Sequence, residues 1–551
     1  MTGLTSDRNG VAGAPLRDVR SLRHGFSART ASALALSGMR PLVGIAAAVY
    51  LISHGGLGSW LAVLAVLALL LVVASVFGEL ASRWPLEGSV YAWSRQLVGP
   101  RAGFLAGWAH LCACVLFMAA LSFFDTQRIF FLLGLQPPSH LQAAMANALL
   151  VAAATALNAS GRACFKFFAM TAAALSVLGV LVFGTVLLWG HRQRSFGALF
   201  ESAAGTGLDW AWFSGPFLVT VAFASSFAFR GFELPADVAE EVRDPRRNVP
   251  RVMIWTLLAG GALTLYGVIA MAMAVPGLGS VAGALDQSLY AGSLASTVRV
   301  ALGDTAAQLL TLLFILATFS SAAVFQLAAS RSLWTLARDR QLPGHATLVK
   351  LTATDRLPGQ ALLVVGLAAA ALPFIVDHHT AFLLQLASCA PLLLAFLVPV
   401  LGLIGLRSRG GWQPGPWSLG PWGMPAALVA ALSLAALSVN ALWPRSGGAL
   451  YGTDDSSWFQ AIALAVILVS GIGLRAWALR GRPGEGSPVD AEPQQRVRLS
   501  HTGTCIFCGE AMAAGQEAMW DPKAYVTLCL PCHSPANLAI LRVASRVRGL
   551  A

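Results

Sequence analysis

The sequence predicts an all-α, polytopic membrane protein of about twelve transmembrane helices, followed by a small separate C-terminal unit. Three observations carry this. The 551 residues are 56% hydrophobic. Only 11% are charged, where a water-soluble chain carries about 25%. Apolar stretches of about 20 residues, the length a helix needs to cross the hydrocarbon core, follow one another with little polar surface between them. A soluble multidomain enzyme would have to bury all of these stretches as core helices, and the polar surface to cover them is missing.

The first 28 residues are polar and basic, with Arg8, Arg17, Arg20 and Arg23. No apolar region with a small-residue cleavage site precedes residue 31, so 1–28 reads as a cytoplasmic tail rather than a secretory signal. Expected spans then run 31–53, 59–80, 102–124, 141–158, 167–189, 211–232, 252–275, 304–330, 360–376, 381–405, 424–443 and 458–477, within a transporter-sized domain of 29–479. The third and eighth are the longest and have room to tilt.

Charge sets the expected topology. Sixteen Lys and Arg fall in loops on one side, among them Arg83, Arg95, Arg162, Lys166, Arg243, Arg331 and Arg407. Five fall on the other: Arg128, Arg192, Arg194, Arg299 and Arg445. The richer side faces the cytoplasm, which places both termini inside a cytoplasmic (inner) membrane. The formal net charge of +12 therefore needs no nucleic-acid partner.

Two spans carry a charge inside an interruption. The first contains Ser-Gly-Met-Arg-Pro-Leu-Val-Gly, where Arg40 precedes Pro41 between Gly38 and Gly44. Proline removes a backbone donor and clashes with the preceding turn, and glycine tolerates the irregular backbone that follows. The sixth ends Phe-Arg-Gly-Phe-Glu-Leu-Pro, with Arg230 and Glu233 flanking Gly231 and with Pro235 beyond. Interrupted segments at corresponding positions of two halves point to a transporter's binding site, because broken helices free amides and carbonyls for a solute. The plainer alternatives are that Arg40 pairs with Glu233 or another acid and locks the helices, and that Arg230 snorkels at a cytoplasmic helix end.

Four segments resemble a known family. Gly78–Trp108 (GELASRWPLEGSVYAWSRQLVGPRAGFLAGW) resembles the loop after the second helix in the amino acid–polyamine–organocation (APC) superfamily. Arg230–Arg251 (RGFELPADVAEEVRDPRRNVPR) resembles that family's Gly-Phe-Glu element and the segment before its seventh helix. Ser330–Gly344 resembles the exit of the eighth helix, and Trp412–Pro425 is similar to the loop before the eleventh in the amino acid/choline branch, which includes γ-aminobutyrate permeases. The order and spacing hold over roughly 25–480. The resemblance implies a LeuT-type fold, two inverted five-helix repeats plus two helices, with alternating access around a midplane site. It carries substrate contacts to the first break (Met39, Arg40, Gly44), to the sixth (Arg230, Gly231, Glu233), to Phe227 and to His110. For Phe227 the alternative is simple packing, and for His110 a hydrogen-bonded core histidine. Ser320 and Ser321 match a hydroxyl-bearing region that helps hold an ion in sodium-coupled relatives. Two departures stand out. The small Gly-Ser-Gly type break is here bulkier and cationic, and the fifth-helix lysine of proton-coupled members has no counterpart around Ala172–Ser176, Lys166 lying at the helix start.

Residues 480–500 are Gly-, Pro- and charge-rich, a flexible linker. Beyond it, in 501–551, Cys505-x-x-Cys508 and Cys529-x-x-Cys532 stand twenty residues apart, the spacing of a four-thiolate zinc ribbon. Four sulfurs close a tetrahedral site, so the zinc is structural, and a fifty-residue unit with little core needs such a staple. Reduced thiols, a redox pair, iron or an alternate ligand in His533 are the other readings. Arg542, Arg546 and Arg548 suggest a basic helix that touches the anionic leaflet or a protein partner; nucleic acid is the least favoured.

The expected function is secondary active transport of an amino acid or related small amine. No Gly-x-x-x-x-Gly-Lys loop is present for ATP, and no nucleophile–base pair points to an enzyme. A sensor that keeps the permease fold and signals through the zinc tail is the alternative.

Overall fold

The computed structural model describes residues 25–202, 207–275, 298–352, 357–375, 380–445 and 458–480, with tail segments 495–498, 503–504, 511–512, 516–521 and 526–529. One compact unit runs Arg23–Leu479, and a second holds Met1–Leu22 and Arg480–Ala551.

The larger unit is helical. Its main helices are α1 (Ala28–Met39), α2 (Val43–Gly55), α3 (Trp60–Arg83), α4 (Ser89–Leu97), α5 (Pro100–Leu132), α6 (His140–Ala159), α7 (Arg162–Thr185), α8 (Pro216–Phe227), α9 (Pro245–Ala274), α10 (Asp304–Arg338), α11 (Gly359–Ile375), α12 (Thr380–Ala387), α13 (Cys389–Ser408), α14 (Gly423–Leu442) and α15 (Phe459–Leu479). Local chemistry starts several of them. The Ser27 hydroxyl accepts from the Thr30 amide at the start of α1, Ser139 and Gln142 form a reciprocal capping box on α6, and Pro100 opens α5, where no amide partner is needed.

Among the described residues, ten helical stretches are long and apolar enough to cross a membrane, α1 with α2 making one and Leu383–Ser408 another. The helices α8 and α11 are apolar but shorter, and they fall on the sixth and ninth expected spans. The α1–α2 stretch is the most enclosed and α15 the least. In the middle, α5 packs along α10, while α1 lies against α7, α9 and α10.

Several charges expected in loops lie within helices, Lys166 in α7 and Arg251 in α9 among them, and two of them are fully buried. Arg128, expected in an outer loop, lies inside α5, and Arg331, expected past the eighth span, lies inside α10; both are buried. Each has acidic partners close by (Asp125 for Arg128, Glu241 and Glu87 for Arg331), so the helix continues through a charge that hydropathy alone reads as an end.

In the tail, β1 (Gln495–Arg498), β4 (Glu517–Asp521) and β5 (Val526–Cys529) form an antiparallel sheet in the order β1-β4-β5, and β2 (Gly503–Thr504) pairs with β3 (Ala511–Met512). Cys529 ends β5; Cys505, Cys508, Cys532, His533, the three C-terminal arginines and most of the expected linker lie outside the described residues.

Candidate functional site

The first expected interruption is present. The helix α1 closes at Met39, and Arg40 takes a left-handed conformation with φ of 50°. Pro41 has no amide to return to the turn before it, and short bonds from Val43 to the Arg40 carbonyl and from Gly44 to the Pro41 carbonyl carry the chain into α2. The second interruption starts earlier than its Gly and Pro suggest. The helix α8 stops at Phe227, Phe229 is left-handed with φ of 64°, and Gly231 has φ of 111°. Helix resumes for one turn at Leu234–Asp237, with Pro235 in its first turn. The Glu233 carboxylate accepts from the Gly231 amide at 2.9 Å, which caps its own break.

The two interruptions meet backbone to backbone. A β-carbon on Gly231 would stand 2.7 Å from the Gly38 α-carbon, closer than real side chains come. The two arginines then converge on one ring, since the guanidinium carbon of Arg40 lies 4.7 Å and that of Arg230 4.2 Å from the centre of Phe117, midway along α5. Such cation–ring contacts gain strength where water is excluded. Both arginines are buried, so Arg230 does not snorkel.

Carbonyls at the interruptions take their donors from side chains. Arg40 Nη2 donates to the Phe227 carbonyl at 3.0 Å. Arg230 donates to the Ser388 hydroxyl at 2.5 Å and to the Ser388 carbonyl at 2.7 Å. Ser388 sits between α12 and α13 with helical backbone dihedrals, in the stretch Leu383–Ser408 that runs as one span, and Pro391 leaves the Ala387 carbonyl without its helical donor. Ser321 Oγ donates to the Gly38 carbonyl at 3.1 Å, whereas the buried Ser320 hydroxyl has no hydrogen-bond partner.

The remaining expected residues lie around this centre. Phe227 is buried and stacks on Phe223. The Met39 side chain lies along the Gly260 position of α9. Gly44 falls past the break, in the first turn of α2, where a β-carbon would meet the Thr264 backbone. His110 lies two turns from Phe117 on α5, with Nε2 3.7 Å from Asp237 Oδ2 and 3.8 Å from Cys114 Sγ. Asp237 in turn accepts from the Ser89 hydroxyl at 2.6 Å.

Two buried charge clusters are not evident from hydropathy. Arg128 donates to Asp125 at 2.9 Å and to Thr318 at 3.1 Å, and Thr318 also bonds Asp125, tying α5 to α10. The i, i+3 spacing of Asp125 and Arg128 was the available signal. At the end of the bundle that holds the loop between α3 and α4, Arg331 donates twice to Glu241, at 3.1 and 2.9 Å, with Glu87 3.8 Å away. Arg162 holds the other Glu241 oxygen at 2.9 Å. Glu87 and Glu240 each accept the other's backbone amide, and Gly25 and Phe26 bond the Glu241 carbonyl. One carboxylate thus joins α7, α10 and the segment following the sixth-span break.

The comparisons with known proteins agree with this architecture. The chain is 28% identical to an uncharacterized transporter of Mycobacterium tuberculosis over 369 residues, 64% of this chain and 77% of the relative. It is 26% identical to a branched-chain amino acid permease of Lactococcus lactis over 361 residues, 62% of this chain and 72% of the relative. It is 28% identical to a low-affinity putrescine importer of Escherichia coli over 199 residues, 36% and 42% of the two chains. The amino acid permease family model matches residues 26–469, most of the chain. With that match over two broken, charge-bearing helices in a polytopic bundle, the chain belongs to the amino acid permease family.

Proposed function

We propose that the protein is a secondary transporter that moves an amino acid or related small amine across the cytoplasmic membrane by alternating access. The meeting of two interrupted helices at Gly38 and Gly231, with Arg40 and Arg230 buried beside them, carries the reading. In this reading α8 and α11 complete twelve spans, ten of them in two inverted five-helix repeats, with both termini cytoplasmic. The solute sits between α1, α5, α8, α10 and α13, where helix ends and unwound backbone supply polar groups. Arg40, Phe227, Arg230, Gly231 and Glu233 line it, and Ser320, with its buried unpartnered hydroxyl, is the ion-facing candidate. Purified protein in proteoliposomes, given amino acids, γ-aminobutyrate, choline and polyamines in turn, is expected to show counterflow of at least one. Absence of flux for the whole panel removes the transporter reading.

The separate tail unit favours a second reading, a sensor that binds solute and signals through the tail. The paired spacing Cys505-x-x-Cys508 and Cys529-x-x-Cys532 suits a four-cysteine structural zinc in that unit. The metal would hold the small sheet together and take no part in transport. Metal analysis of the full chain is expected to give one zinc, lost on replacing Cys505 and Cys508 by Ser. Solute binding without counterflow, abolished signalling aside, would favour the sensor; counterflow that survives tail deletion favours the transporter.

A further inference from the structure

Resting on the transport reading above, we infer that the protein carries a proton with its solute, and that this proton is held between His110 and Asp237, at the one-turn helix that follows the sixth-span break. That turn, Leu234–Asp237, leaves the Asp237 side chain fully enclosed. One carboxylate oxygen accepts from the Ser89 hydroxyl at 2.6 Å, and the other, Oδ2, has no hydrogen-bond partner. His110 Nε2 stands 3.7 Å from Oδ2, just beyond a direct hydrogen bond, and His110 is 1% exposed. Without a proton between them, the pair leaves a carboxylate charge inside the bundle, a costly state. One proton, on Oδ2 or on the imidazole, removes that cost. Carboxyl and imidazole groups inside a membrane bundle are the groups that relay protons in transporters.

The charges around the pair have other work. Arg230 and Glu233, whose fields reach His110, bring one charge of each sign. Arg230 bonds Ser388, and Glu233 spends one oxygen on the Gly231 amide and leaves Oε1 without a partner. On α5, Cys114 Sγ lies 3.8 Å from His110 Nε2. On α4, the Tyr91 hydroxyl donates to Asp339. Arg40 of α1 bonds the Phe227 carbonyl, Arg331 of α10 bonds Glu241, and α13 sets the Phe396 ring beside His110. Among the described residues no three His, Cys, Asp or Glu come together to hold a metal ion, and an orphaned oxygen beside an imidazole suits a proton.

Polar groups lead on from Asp237 to the end of the bundle that carries Glu241. The Gly88 amide donates to the Asp237 carbonyl at 3.3 Å, and Glu87 and Glu240 accept each other's amides. In the cycle a proton from water on one side of the membrane adds to the Oδ2 lone pair. The O–H bond then breaks and returns the proton to water on the other side, so each turn carries one proton and one solute.

Two readouts on the full-length protein test this. The first needs no solute and uses infrared difference spectra against pH in nanodiscs. The carbonyl stretch of a protonated carboxyl is expected to fade as pH rises, to be missing in Asp237→Asn and to persist in Glu233→Gln. The second is uptake into proteoliposomes, with the membrane potential clamped, of whichever panel solute shows counterflow. An exterior more acid by about one pH unit is expected to drive about tenfold accumulation, the yield of one proton per solute. Asp237→Asn and His110→Gln are expected to lose that accumulation. Should Asp237→Asn not fold, as read by melting, His110→Gln and the band in Glu233→Gln decide. A band lost in Glu233→Gln but kept in Asp237→Asn overturns the inference, as does accumulation that follows a sodium gradient and ignores pH. The Asp237 band without counterflow of any panel solute sinks transport alone. Counterflow with neither the band nor acid-driven accumulation sinks the proton site alone.

Discussion

The bundle holds buried arginines in two ways. At the end near Glu87, Arg331 and Arg162 both bond Glu241, so charge meets charge. At the centre, Arg230 bonds only a hydroxyl and a carbonyl and leans on a ring. A buried cation matched by carboxylates is costly to unpair and locks the elements it joins, whereas an intramembrane cation bonded to neutral groups is a candidate for the solute path. The first joins elements that must part if the bundle opens at that end. The second lies where two helices are already broken.

Breaking the lock should give the largest effect. Glu241→Ala removes the hydrogen-bonded partner of Arg331 and Arg162, leaving Arg331 only the more distant Glu87, and is expected to cost about 3–5 kcal/mol. Fluorescence-detected thermal melting in detergent checks this, and a shift no larger than that of a surface variant would show that the cluster is not the lock. Next comes the meeting of the two breaks. Gly231→Ala forces a β-carbon to 2.7 Å from Gly38 at φ of 111° and is expected to cost at least about 1–3 kcal/mol and to stop counterflow. Unimpaired counterflow would mean that the two segments need not touch. Ser321→Ala leaves the Gly38 carbonyl without its side-chain donor and is expected to cost about 1 kcal/mol, read as a small melting shift.

The smallest effect sharpens the comparison through pH. Burial, then Glu241 and Glu240, push the Glu87 carboxyl well above its ordinary value of 4.5, against the pull of Arg331. The folded protein thus keeps this proton to higher pH than the unfolded chain does. Its contribution to stability is full below the ordinary carboxyl range and fades as pH rises through the folded value. Glu87→Gln cannot ionise, so its melting temperature relative to wild type should rise as pH climbs above the ordinary carboxyl range. A gap that stays constant as pH rises would remove Glu87 from the titrating groups.

Much of the centre was legible because interruptions have a chemical signature. Gly38, Pro41 and Gly44 marked the first break, and Gly231 and Pro235 the second. The stretch around Ser388 is continuous and apolar and runs as one span, Leu383–Ser408, as its hydropathy indicates. Arg128 and Arg331 were misplaced because a charge with a partner does not end a helix, and the partners Asp125 and Glu241 are visible as partners only in three dimensions or at helical spacing. Phe117 carried no signal at all, one phenylalanine among 28. The order of the spans followed from hydropathy, whereas the pairing of charges between distant helices did not.

A cryo-EM map of the nanodisc-embedded protein with a bound, transported solute would show whether the two breaks form one solute site around Arg230. Solute density is expected within hydrogen-bonding distance of the Arg230 guanidinium, beside Phe117, with Gly38 and Gly231 in contact. Density elsewhere in the bundle, or Arg40 and Arg230 on helices that do not meet, would rule that site out.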